Sequence, residues 1–107
     1  MSAFSDVLSR LAATIEARKG GDAAASYTAK LLADPSLAAK KLGEEAVEAV
    51  IAATHGDKAA LAGESADLIY HWLVVLAASG VSLDDVAAKL EAREGTSGLA
   101  EKAGRSK

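Results

Sequence analysis

Residues 40–48 read Lys40-Lys41-Leu42-Gly43-Glu44-Glu45-Ala46-Val47-Glu48, and residues 64–71 read Glu64-Ser65-Ala66-Asp67-Leu68-Ile69-Tyr70-His71. Both stretches read as helix, and each repeats an acidic residue after three positions: Glu45 to Glu48, then Glu64 to Asp67. Residues three or four apart share a helical face, so each segment offers two neighbouring carboxylates. If the two helices are antiparallel neighbours, four acids converge. Carboxylates held that close repel unless a cation joins them, and an all-oxygen ligand set suits Mg²⁺.

The surrounding composition fits helices. The chain has 107 residues, half of them apolar, with four aromatics and one proline. Ala and Leu dominate the apolar half, and they are the strongest helix formers, while the residues favoured in strands are sparse. The expectation is one all-α domain of four to five helices over residues 1–94, small enough to be completed by dimerisation. Residues 95–107, rich in Gly, Ser, Lys and Glu, read as a flexible tail.

Charge and cysteine content narrow the chemistry. A net charge of −3 gives no basic footprint for nucleic acid, and the absence of cysteine excludes disulfide and thiolate chemistry. The N-terminus lacks a basic-then-apolar signal pattern. The longest apolar run, Leu68 to Ala78, contains His71 and is too short to cross a membrane, so the reading is cytoplasmic, with no membrane partner.

In chain order, Ser5 caps a first helix running to about Arg18, with Phe4, Val7, Leu8, Leu11 and Ile15 as its apolar stripe. Gly20-Gly21 ends it, and Ser26 to Leu32 forms a short helix. Asp34 and Pro35 open the next, from about Ser36 to Thr54, which stops at Gly56. On its projection Leu42, Ala46, Ala49, Val50 and Ala53 form one face, with Lys41, Glu44, Glu45 and Glu48 opposite. Asp57 caps a third long helix to about Ala78, closed by Gly80. Ser82 to Asp85 form a capping box for a last helix ending near Arg93.

On the third long helix Leu61, Leu68 and Val75 flank Glu64, Asp67 and His71. That helix is apolar almost all round, which predicts burial. A buried unpaired carboxylate is costly, and no Lys or Arg lies between Ala59 and Ala88. The acids of residues 44–48 taken alone fit a solvated surface, but a divalent metal satisfies both helices together. His71 is a ligand, a base, or a hydrogen-bonded core histidine supporting the site. Phe4, Tyr70 and Trp72 read as core, and Lys40 and Lys41 either neutralise phosphate or solvate their helix. Mg²⁺ keeps open positions for substrate phosphates and polarises phosphoryl oxygens, which points to phosphoanhydride hydrolysis.

The E-E-x-x-E of Glu44 to Glu48 and the E-x-x-D of Glu64 to Asp67, on consecutive helices, resemble the MazG-type nucleotide pyrophosphohydrolase superfamily. Within it, Ser26-Tyr27-Thr28-Ala29-Lys30-Leu31-Leu32, Lys40 to Glu48, and Ala66 to Leu76 resemble the phosphoribosyl-ATP pyrophosphohydrolase family. The resemblance covers about Phe4 to Arg93. It implies hydrolysis of phosphoribosyl-ATP between its α and β phosphates, releasing pyrophosphate, as the second step of histidine biosynthesis. It further implies Mg²⁺ on Glu45, Glu48, Glu64 and Asp67, with Glu44 as a further ligand or water-activating base. A homodimer is implied as well. The zinc-dependent cyclohydrolase to which this domain is often fused depends on cysteines and the chain has none, so the expectation is the stand-alone form. Lys30, Lys40, Lys41 and Arg93 are the phosphate contacts on charge and position. Two alternatives are a housecleaning nucleoside triphosphate pyrophosphatase with the same metal site and a non-catalytic helical dimerisation module.

Overall fold

In a computed structural model, described for residues 3–95, the chain forms five helices: α1 (Phe4–Ala17), α2 (Tyr27–Leu32), α3 (Pro35–His55), α4 (Lys58–Ser79) and α5 (Leu83–Glu91). The all-α expectation holds, and no strand occurs among the described residues. The segment expected to be a flexible tail lies, from residue 96 onward, outside the described residues.

Local capping explains most of the boundaries. Ser26, Asp34, Asp57 and Ser82 each accept a backbone N–H from the first turn of the helix that follows, satisfying a donor that would otherwise lack a partner. Ser82 and Asp85 complete a reciprocal capping box. Ser5 does not cap α1. The N–H groups of Asp6 and Val7 bond to the Ala3 carbonyl instead, so the cap position lies two residues earlier, at Ala3, without a side-chain cap.

α3 and α4 form an antiparallel hairpin that organises the rest. Gly56, at φ +69°, turns the chain in the left-handed region, and Asp57 starts the return. α1 and α2 pack against α4, and α2 also touches α3. Where they meet, Ile15, Leu31, Ala38, Leu73 and Val74 are buried, with Leu8, Leu11, Ile69, Tyr70 and Trp72 packed around them. Tyr70 and Trp72 therefore support the core as expected. Phe4 does not: it is 66% exposed, one turn before Leu8, beyond the reach of this cluster. Val7 is exposed too.

Two further expectations are corrected. On α3 the buried residues are Ala38 and Ala52, with Glu45 half-buried on their side, while Val50 and Ala53 face outward with Val47 and Ile51. A close helix pair favours small side chains at the contact, so the branched residues lie outside. α4 is buried only at His71, Leu73 and Val74. The α4 residues packed against that core begin at Ile69, and on the acid-bearing turns before it Leu61, Glu64, Ser65 and Leu68 are half-buried. α4 is long and apolar enough to pass for a membrane span by length and composition alone, a test that core helices of soluble proteins also pass. It nevertheless carries Glu64, Asp67 and the hydrogen-bonded His71.

Candidate metal centre and its surroundings

Glu45 precedes the Gly56–Asp57 turn by almost the same stretch of chain as separates that turn from Asp67. With a constant rise per residue on both helices, the two side chains arrive at one level of the hairpin. Glu64, one turn earlier on α4, shares the face of Asp67. Carboxylate oxygens of Glu45, Glu64 and Asp67 all lie within 4.8 Å of one another. Glu45 and Glu64 are half-buried and Asp67 is exposed. The acids are thus less enclosed than the apolar pattern of α4 suggested, because α1 and α2 pack farther along that helix.

Glu48 stands beside this group on the next turn of α3, exposed. Its position shows in the electrostatics of Glu64. Desolvation pushes the Glu64 carboxyl above its ordinary value, and the charges of Glu48, Asp67 and Glu45 push it the same way. All the charges shifting it are negative. The donor set is wholly carboxylate oxygen, hard and anionic, and such a set fits a divalent cation of the Mg²⁺ type. A bound cation would remove the repulsion that this geometry carries.

The other expected residues are distributed around that centre. Glu44 is exposed on α3, outside the three-acid group, and its Oε2 lies 3.4 Å from Lys41 Nζ. Lys41 is half-buried, whereas Lys40 and Lys30 are exposed on α3 and α2. Arg93 is exposed past α5, an element joined to the end of α4 remote from the acids.

His71 is buried, and both of its ring nitrogens are engaged. Nδ1 lies 2.8 Å from the Asp67 carbonyl oxygen and Nε2 lies 3.1 Å from the Tyr27 hydroxyl. A carbonyl only accepts, so Nδ1 carries a proton, and in the tautomer with that proton alone Nε2 accepts from Tyr27 O–H. Neither nitrogen is open to a metal, which leaves His71 as a support one turn from Asp67. Beside it Tyr70 meets the imidazole edge-on, at a centroid distance of 4.9 Å, and bonds Thr28 Oγ1 at 2.5 Å. Burial raises the Tyr27 hydroxyl above its ordinary value, outweighing the nearby Lys41, so it remains a donor at neutral pH.

Tyr27 and Thr28 were not singled out as site residues from sequence. They lie on a separate short helix, and no periodicity on α2 refers to α4.

Comparison with known proteins gives a consistent result. The family described as phosphoribosyl-ATP pyrophosphohydrolase matches residues 8–94. A phosphoribosyl-ATP pyrophosphatase of Caulobacter vibrioides is 76% identical over 102 residues, covering 95% of each chain. One of a Caulobacter sp. is 74% identical over 105 residues, covering 98% of each. A third, of Cereibacter sphaeroides, is 66% identical over 100 residues, covering 92% of this chain and 97% of the relative.

Proposed function

The chain belongs to the phosphoribosyl-ATP pyrophosphohydrolase family, and we propose that it hydrolyses phosphoribosyl-ATP to phosphoribosyl-AMP and pyrophosphate, a step of histidine biosynthesis. The observation that carries this reading is the convergence of Glu45, Glu64 and Asp67 from two helices onto one point. The unit responsible is the domain of residues 1–94, nearly the span that the family match covers.

Glu45, Glu64 and Asp67 would hold Mg²⁺, with Glu48 completing the set on the side of Glu64. When bound, Mg²⁺ would supply Lewis-acid polarisation of the phosphoryl oxygens and an offset to the charge that builds up as the anhydride breaks. The chain's own groups then account for the rest. Lys41, beside the acids, neutralises a phosphate oxygen, and Lys30, Lys40 and Arg93 are further contacts by charge. In the reaction, a bond forms between the oxygen of water and phosphorus. The bond from phosphorus to the α–β bridging oxygen breaks, and pyrophosphate leaves. The water's proton passes to a carboxylate, for which Glu44 is the candidate because it lies outside the three-acid group. His71 holds the turn of α4 that carries Asp67.

The protein acts as a homodimer in the cytoplasm. The exposed outer face of α3, with Val47, Val50 and Ile51, and the lightly covered α4 support a second copy completing the bundle.

The test is pyrophosphate release with Mg²⁺ from phosphoribosyl-ATP, compared with ATP, dCTP and dUTP. A strong preference for phosphoribosyl-ATP is expected. Equal turnover of the common triphosphates would move the chain to a housecleaning role, and inactivity on every substrate would overturn the catalytic reading.

A further inference from the structure

Two aromatic side chains among the described residues are widely exposed, Phe4 at 66% and Tyr27 at 50%. Phe4 lies in the first turn of α1, outside the core cluster. Tyr27 is tied to the acids. Its hydroxyl reaches His71 Nε2 at 3.1 Å, and His71 Nδ1 reaches the carbonyl oxygen of Asp67 at 2.8 Å. The Tyr27 and His71 rings meet edge to face, at a centroid distance of 6.0 Å and 72° between planes. One end of the ring is therefore fixed by a buried partner while half of the residue stays open to solvent. The charges of Lys41, Glu45 and Glu44 also act on its hydroxyl, which places Tyr27 on the α3 side of the metal centre.

An exposed aromatic ring held in one orientation is a ready surface for another flat ring, because little conformational freedom is lost when it is covered. The acids and Lys41 account for the phosphates of the proposed substrate and offer nothing to its base. The other exposed large apolar side chains, such as Val50, Val81 and Leu90, are aliphatic, and no hydrogen-bond chain ties them to Asp67. We infer that Tyr27 is a substrate-binding residue whose exposed ring stacks on the adenine of the nucleotide, anchored through its hydroxyl by His71. This rests on the nucleotide reading of the acid site and adds the residue that would select for a base. It also gives the Tyr27–His71 bond a role beyond joining α2 to α4, since the bond sets the ring's orientation relative to Asp67.

The experiment separates the base from the phosphates. Calorimetric binding of AMP and of pyrophosphate to the Mg²⁺-loaded protein is measured for wild type, Tyr27→Leu, Tyr27→Phe and Tyr27→Trp. Base–aromatic stacking predicts that Tyr27→Leu weakens AMP by about tenfold and leaves pyrophosphate unchanged. Tyr27→Phe and Tyr27→Trp keep the ring and retain AMP affinity to within about threefold of wild type. Equal loss of both ligands in Tyr27→Leu, or of neither, overturns the inference. Should Tyr27→Leu fail to fold, Tyr27→Gln, which removes the ring but keeps a hydrogen-bonding group toward His71, decides instead: AMP must weaken about tenfold with pyrophosphate unchanged, and unchanged AMP affinity overturns the inference. Wild-type inactivity on phosphoribosyl-ATP would sink the proposed reaction separately, because the binding measurement needs no turnover.

Discussion

Glu45 of α3 and Glu64 of α4 bring carboxylate oxygens within 4.8 Å of each other across the hairpin, with Asp67 in the same group. Two like charges at that separation destabilise the fold that holds them, so the arrangement is one that a cation relieves. The acids and the turn that joins their helices are therefore parts of one device.

The turn depends on Gly56. Its φ of +69° lies where a Cβ is disfavoured, and an added Cβ would meet nothing within 4 Å, so the penalty of Gly56→Ala is purely one of backbone conformation. A loss of about 1–2 kcal/mol in urea unfolding is expected, with a parallel weakening of metal binding if the register of α3 on α4 shifts.

The link between α2 and α4 rests on Tyr27 and His71. Tyr27→Phe leaves the buried Nε2 of His71 without its donor, and should cost about 1–3 kcal/mol. Combining it with His71→Phe, which removes the orphaned acceptor, should cost less than the two single changes added together. Strict additivity in this double-mutant cycle would mean that the 3.1 Å contact contributes nothing.

The start of α5 has a pH dependence of known sign. The backbone N–H and side chain of Ser82 hold the Asp85 carboxyl below its ordinary value. A depressed folded-state value stabilises the protein above the ordinary carboxylate range, and that contribution is lost as pH falls toward the folded value. Thermal melts between about pH 6 and 3 should show this loss in wild type and a smaller one in Asp85→Asn.

Several of these features were legible in the sequence. Asp34, Asp57 and Ser82 were readable as caps because capping is decided within four residues, and the acid spacing was readable because helical geometry fixes it. Other features were not. Tyr27 and His71 are 44 positions apart, and only packing joins them. The direction faced by α3 was misread for a related reason. Apolar content placed Val50 inward, but the close approach of α4 selects Ala38 and Ala52 for the contact and leaves Val47, Val50 and Ile51 outside. Phe4 was assigned to the core by its periodicity, which cannot tell where the partner surface ends.

That outward face has its own test. Val50→Glu, on an exposed position of α3, should leave helicity intact and weaken self-association by at least about tenfold, read by light scattering on a sizing column. An undiminished dimer would move the interface elsewhere on the molecule.

The most direct measurement is calorimetric Mg²⁺ binding, paired with pyrophosphate release from phosphoribosyl-ATP, for wild type and Glu64→Gln. Glu64→Gln should fold, melt no lower than wild type without metal because the strained carboxylate is gone, and lose Mg²⁺ binding together with about a hundredfold or more of its turnover. Because the Glu64 carboxyl is raised in the folded state, its penalty is present above the raised value, fades as pH falls from there toward the ordinary carboxylate value, and is gone below it. The metal-free gap between the two proteins should therefore narrow on acidification. A Glu64→Gln protein that binds Mg²⁺ and turns over like wild type would contradict the metal centre.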